Sequence, residues 1–182
     1  MIYIVGVPRS GKSTLAKMLK EKYKGANLIS CEALKNSLAT IELDNGATCS
    51  ASPEAFLKFV AKLAEWNELL TGQRSIIDAG NMRIEDVYKI LTPRDRIVCL
   101  GFGGIANKME IWSSIKLHQK DYDYTCNMDL EKATRYWGDF SNTDRENRYF
   151  CVDKDLIYLD TNYDQKNTLE YLVDLLAQDF ED

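Results

Sequence analysis

Histidine is nearly absent from this chain: His118 is the one imidazole among 182 residues. Metal sites built on histidine, and Ser-His-Asp nucleophile chemistry, therefore have almost nothing to work with. Cysteine is present but patternless. Cys31, Cys49, Cys99, Cys126 and Cys151 are odd in number, scattered and never in C-x-x-C spacing, so they read as reduced thiols of a cytoplasmic protein, not as a disulfide frame or a zinc site. Positive charge is also short. With Lys+Arg at 23 against Asp+Glu at 28, the net charge is −5, and the broad basic footprint of a nucleic-acid binder is missing. No apolar run approaches the length of a membrane span, and Met1 leads straight into an apolar strand, so neither an anchor nor a cleaved leader is expected. Repeats and low-complexity segments are lacking as well. A hydrophobic content of 45% over this length predicts one domain, residues 1–182, with its own core.

What the chain does have stands at its start. The apolar run Ile2-Tyr3-Ile4-Val5 leads into Gly6-Val7-Pro8-Arg9-Ser10-Gly11-Lys12-Ser13-Thr14, a complete G-x-x-x-x-G-K-[ST] phosphate-binding loop between a strand and a helix. A polyphosphate has to be wrapped by backbone, and each fixed position serves that end. Gly6 and Gly11 remove Cβ atoms where the main chain turns close to the ligand. Lys12 brings a point charge to the β- and γ-phosphates, Ser13 a hydroxyl to Mg²⁺, and the N–H groups opening the helix at Gly11 to Thr14 point at the anion.

Downstream, strands and helices alternate. Leu15, Met18, Leu19 and Tyr23 repeat at helical spacing, and Asn27 to Ser30 form a short strand. Ser52-Pro53-Glu54 has the form of an N-cap with proline in the first turn; it opens a long helix with Phe56, Phe59, Val60, Leu63, Asn67 and Leu70 expected on its inner face and Thr71-Gly72 at its end. Ser75-Ile76-Ile77-Asp78, Arg96 to Leu100 and Leu156 to Leu159 are further buried strands, and the last helix carries Leu169, Leu172, Val173, Leu176 and Phe180 on one face. Five such strands alternating with helices predict a three-layer α/β/α domain around a five-stranded parallel sheet, with the ligand site beyond the carboxyl ends of the strands. Residues 119–155, rich in Asp, Asn, Tyr and Arg, are poorest in core pattern and are expected to form a mobile, lid-like segment.

These motifs resemble the P-loop small-molecule and nucleoside-monophosphate kinases. Ile29-Ser30-Cys31-Glu32-Ala33-Leu34-Lys35 is similar to the segment after their second strand, with Glu in place of the usual Asp; Ile76-Ile77-Asp78-Ala79-Gly80 resembles the acid that closes the third; Tyr158-Leu159-Asp160-Thr161 resembles the last-strand Asp-Thr leading to the nucleotide-base loop. The resemblance implies a P-loop fold with a small helical lid, Mg²⁺ and ATP as cofactors, and transfer of the γ-phosphoryl group to a small-molecule or nucleotide acceptor. Gly6 to Thr14 and Asp160 would hold the nucleotide, and Ser13 and Asp78 the metal. Glu32 either orients an acceptor hydroxyl or is a solvated first-turn glutamate favoured by the helix dipole. Asp78 and Asp160 have capping as their alternative role. Arg135, Arg145 and Arg148 either reach the transferring phosphoryl group when a lid closes or stay on a solvated helical face, and Lys35 and Arg83 either touch an anionic substrate or are solvated. Asn107-Lys108-Met109-Glu110 only superficially matches a guanine-reading Asn-Lys-x-Asp, and Trp112, Tyr122, Tyr124, Tyr136 and Trp137 are expected to pack. Two rival functions stay open: a nucleotide-binding switch with little turnover, and a polynucleotide 5′-hydroxyl kinase, which needs a basic channel that this acidic chain does not advertise.

Overall fold

A computed structural model describes residues 1–39, 52–80, 82–102 and 129–180. Cys49, Asn107 to Glu110, Trp112, His118, Tyr122, Tyr124 and Cys126 lie outside these residues, as do the side chains of Tyr136 and Trp137. In chain order the elements are β1 (Ile2–Gly6), α1 (Lys12–Lys22), β2 (Asn27–Ser30), α2 (Cys31–Ala39), α3 (Pro53–Thr71), β3 (Ser75–Asp78), α4 (Ile84–Tyr88), β4 (Arg96–Gly101), α5 (Leu130–Asp153), β5 (Ile157–Asp160), α6 (Gln165–Leu175) and a closing 3₁₀ turn, Leu176–Phe180.

The strands form one parallel sheet in the order β2-β3-β1-β4-β5. Parallel strands buried on both faces read as continuous apolar runs, which is why β1 is buried at every position. Strand alternation splits those residues between two cores. Tyr3, Val5, Ile77 and Cys99 face a core closed by α2 to α5 through Cys31, Phe56, Leu57, Val60, Ile84, Val87 and Cys151. Ile2, Ile4, Ile76, Val98 and Leu100 face the other, closed by α1 and α6 through Leu15, Leu19, Leu169 and Leu172, with Tyr23 stacked on Phe180 at 4.0 Å between ring centres. Each fully buried Ile or Leu contributes about 1.5–3 kcal/mol relative to exposure, so the sheet is held from both sides. Among the described residues no helix is long and apolar enough to cross a membrane.

Helix α3 begins and ends where its sequence predicts. Ser52 Oγ accepts from Ala55 N at 3.2 Å, and Gly72 takes the left-handed C-cap conformation at φ 67. Its buried face differs from the expected one. Phe56, Leu57, Val60, Ala61 and Ala64 point inward, while Phe59 and Leu70 are exposed. The large side chains mark the hydrophobic stripe, but the alanines set how closely the helix approaches the sheet: the Ala64 carbonyl is near enough to accept from the buried Ser75 Oγ at 3.3 Å.

Of the stretch 119–155, residues 119–128 lie outside the described residues. From Leu130 to Asp153 the chain is a single 24-residue helix, N-capped by Asp129, whose carboxylate accepts from Lys132 N at 2.8 Å. Its second half belongs to the body of the domain, because Cys151 is fully buried against the sheet and Asn147 and Asp144 are buried one and two turns earlier. Asp144 and Asn147 are polar, so periodicity of apolar residues does not reveal them.

Candidate active site

The phosphate-binding loop joins β1 to α1 through a backbone that only its own sequence tolerates. Gly6 (φ 135) and Gly11 (φ 93) are left-handed, and a Cβ on Gly6 would lie 2.0 Å from the Leu100 carbonyl oxygen of β4. Arg9 also takes a positive φ of 69. Ser10 ties the loop inward, its Oγ donating to Val7 O at 2.8 Å. Lys12 is buried, and its Nζ donates to the same carbonyl at 2.7 Å. Burial lowers the Lys12 pKa to about 8, with Asp78, Cys99 and Glu32 working in the opposite direction. The ammonium is held largely out of water, where a polyanion interacts with it strongly.

Asp78 ends β3 beside the loop. Ser13 Oγ donates to its Oδ2 at 2.6 Å, and its Oδ1 accepts from Gly80 N at 3.1 Å. A hydroxyl and a carboxylate converging at the head of α1 are hard oxygen donors of the kind Mg²⁺ takes, so the residues present fit that ion. The same carboxylate also forms the turn toward Gly80, which is the capping role.

Glu32 lies in the first turn of α2, exposed, with its Cβ 3.6 Å from the position a Cβ on Gly80 would take. Asp160 at the end of β5 accepts from Asn162 N at 2.8 Å, and its neighbour Thr161, buried, donates to Ser10 O at 3.0 Å and Gly101 O at 3.1 Å, which clamps the last strand to the loop. The structure thus brings Gly6 to Thr14, Glu32, Asp78 and Asp160 to one edge of the sheet. The arginines are placed differently. Arg135, Arg145 and Arg148 are exposed along α5, Arg135 paired with Glu131 and Arg145 donating to Asn142 Oδ1 at 3.0 Å.

Beside the loop lies a cleft of about 280 Å³, lined by Gly6, Val7 and Pro8, by Met82, Arg83 and Glu85 at the start of α4, and by Phe140, Thr143, Glu146 and Asn147 of α5. The helix that supplies Phe140, Thr143, Glu146 and Asn147 is anchored by Asp144, a residue that sequence reasoning missed. Buried Asp144 accepts from Phe102 N at 3.0 Å through Oδ2 and from Tyr158 Oη at 2.9 Å through Oδ1, fixing α5 against the ends of β4 and β5. The one sequence signal for it is Gly101: a Cβ there would meet Asp144 Oδ1 at 1.9 Å. Cys99 and Cys151 share a hydrogen bond beneath this point; that bond and burial raise the Cys99 pKa, so the thiol stays protonated and inert. Burial likewise pushes Cys31 up to about 12.

No protein-family model and no characterised protein matches the chain in sequence. Its three-dimensional arrangement does match solved structures. Kti12 of Chaetomium thermophilum in complex with ADP-AlF3 superposes at a TM-score of 0.55 and 17% identity, over 98% of each chain. Shikimate kinase of Bacteroides thetaiotaomicron gives 0.53 and 14%, over 97% of this chain and 96% of that one. Deoxyadenosine kinase of M. mycoides, with dCMP and dCDP bound, gives 0.50 and 15%, over 97% and 98%. The chain has the fold of the P-loop kinases.

Proposed function

We propose that the protein is an ATP-dependent kinase for a small hydroxylated acceptor. The observation that carries this reading is the cleft: its wall is Gly6, Val7 and Pro8 of the phosphate-binding loop, so a molecule seated in it lies next to a nucleotide held by that loop. The nucleotides in the Kti12 and deoxyadenosine kinase structures support the same use of the loop. Lys12 and the N–H groups of Gly11 to Thr14 bind the phosphates, and Ser13 and Asp78 hold Mg²⁺, which when bound neutralises phosphate charge. The acceptor hydroxyl oxygen forms a bond to the γ-phosphorus as the bond from that phosphorus to the ADP oxygen breaks, and the hydroxyl proton passes to Glu32 or to solvent. Arg145 and Arg148 flank the cleft-lining Glu146 and Asn147 in sequence and supply charge to the transferring group. The reduced state of Cys31, Cys99 and Cys151 supports action in a reducing compartment such as the cytoplasm.

The test is transfer of labelled γ-phosphate from Mg-ATP to a panel of small alcohols, sugars, nucleosides and nucleotides. Wild type is expected to label at least one acceptor, and Lys12→Ala none. Replacing Arg145 or Arg148 with alanine is expected to lower kcat by up to about a thousandfold with little change in the KM for ATP. A wild-type protein that binds ATP, labels nothing and hydrolyses ATP at a rate no arginine variant alters would overturn the kinase reading in favour of a nucleotide switch.

A further inference from the structure

Asn147 has a feature that packing does not explain. It is 6% exposed, it lines the cleft beside the phosphate-binding loop, and among the described residues its carboxamide has no hydrogen-bond partner. Buried amides are almost always bonded, because an unpaired one loses its water contacts without replacement. An apolar side chain of similar length would serve folding better at this position.

The charges around it narrow what fills the need. Among the described residues, three ionisable side chains line the cleft, Arg83, Glu85 and Glu146. The one cation, Arg83, is 72% exposed and lies 3.7 Å from Glu85, so its charge is partly committed. The opposite wall presents Glu146 of α5 and, among the described residues, no cation. Arg145 and Arg148 serve the γ-phosphoryl group in the reading above, so a second phosphate, carried by the acceptor, would face the net negative balance of these described lining residues, with the nucleotide's own phosphates on the adjacent loop. Met82 and Phe140 give the remaining wall an apolar body.

We infer that the cleft takes an uncharged or cationic hydroxyl compound, bound through a neighbouring donor and acceptor on Asn147, and that phosphorylated metabolites are excluded. This rests on the kinase reading above and specifies its acceptor. Nucleosides and amino sugars share the required chemistry: a hydroxyl to receive the phosphoryl group, amide- or amine-type hydrogen-bonding groups, and no phosphate. The transfer joins the acceptor oxygen to the γ-phosphorus, releases ADP from that phosphorus and frees the hydroxyl proton.

Two measurements test it. Calorimetric titrations on the protein saturated with Mg²⁺ and a non-hydrolysable ATP analogue would use pairs that differ only by a phosphate: four nucleosides against their 5′-monophosphates, and glucosamine against glucosamine 6-phosphate. At least one unphosphorylated member is expected to bind at least tenfold tighter than its partner, and Asn147→Ala to weaken that binding ~10–100-fold with analogue affinity unchanged. Which pair responds separates a nucleoside from an amino sugar. Equal or tighter binding of a monophosphate, or no binding by any member, overturns the inference; loss of analogue binding by wild type would instead overturn the kinase reading beneath it. The second measurement is independent of any acceptor. Asn147→Leu is expected to raise Tm by ~2–4 °C, since it removes an unpaired buried amide. A lowered Tm would show that Asn147 serves the fold and would overturn its assignment to a ligand.

Discussion

Replacing Lys12 with methionine is expected to stabilise the protein at pH 7 while destroying its affinity for ATP. The folded-state pKa of Lys12 is about 8 against an ordinary value of 10.5, chiefly through burial. At about 1.36 kcal/mol per pH unit, that displacement corresponds to roughly 3 kcal/mol of destabilisation while the lysine is charged in both states. The variant also loses the bond to Val7 O, worth about 1 kcal/mol, but that carbonyl keeps Ser10 Oγ and Ser10 N as donors. The net gain is about 2 kcal/mol, or roughly 4–8 °C in Tm for a domain of this size. The sign of the pH dependence follows from the lowered pKa. Below pH 8 both folded and unfolded states are protonated and the full penalty is present. Between pH 8 and 10.5 the folded protein sheds its proton first, so wild type gains stability and the gap to the variant narrows. Thermal denaturation of both proteins at pH 7, 8.5 and 10, with and without Mg-ATP, measures all of this. A variant no more stable than wild type at pH 7, or a gap that does not shrink as pH rises, would refute the reasoning.

Two further outcomes follow from the site geometry. Ser13→Ala and Asp78→Asn should each raise the Mg²⁺ concentration needed for half-maximal rate, and a metal titration that is unchanged for Asp78→Asn would confine that residue to its turn with Gly80 N. Asp144→Ala removes an acceptor from the Phe102 N–H and from the Tyr158 hydroxyl, and should destabilise by about 2–4 kcal/mol in urea denaturation, with weaker acceptor binding because α5 loses these ties.

The phosphate-binding loop was legible residue by residue because its chemistry is local: the two glycines, Lys12 and Ser13 sit within one turn of chain, and the apolar strand before them fixes their context. Asp78 was legible for a different reason. It closes a short apolar strand, and in a parallel sheet every such end falls on one edge. The acceptor side was not. Asp144 and Asn147 are polar residues on the inner face of a helix whose outer face is also polar, so neither composition nor period marks them. Their role appears only once Gly101 and Tyr158, far apart in sequence, are seen to meet at Asp144. The inner face of α3 failed for a related reason, since reading large apolar residues as the packed stripe overlooks that Ala61 and Ala64 permit the closest approach.

The central position of β1 has a consequence for synthesis. Ile2 finds its sheet partners at Ile76 and Arg96, so β1, apolar throughout, is made before either strand that pairs with it. At about 5–20 residues per second the delay to β3 is on the order of 4–15 s. Throughout it, Ile2, Tyr3, Ile4 and Val5 form an unpaired strand able to pair with another nascent copy, and the yield of native protein is set by how well that interval is guarded.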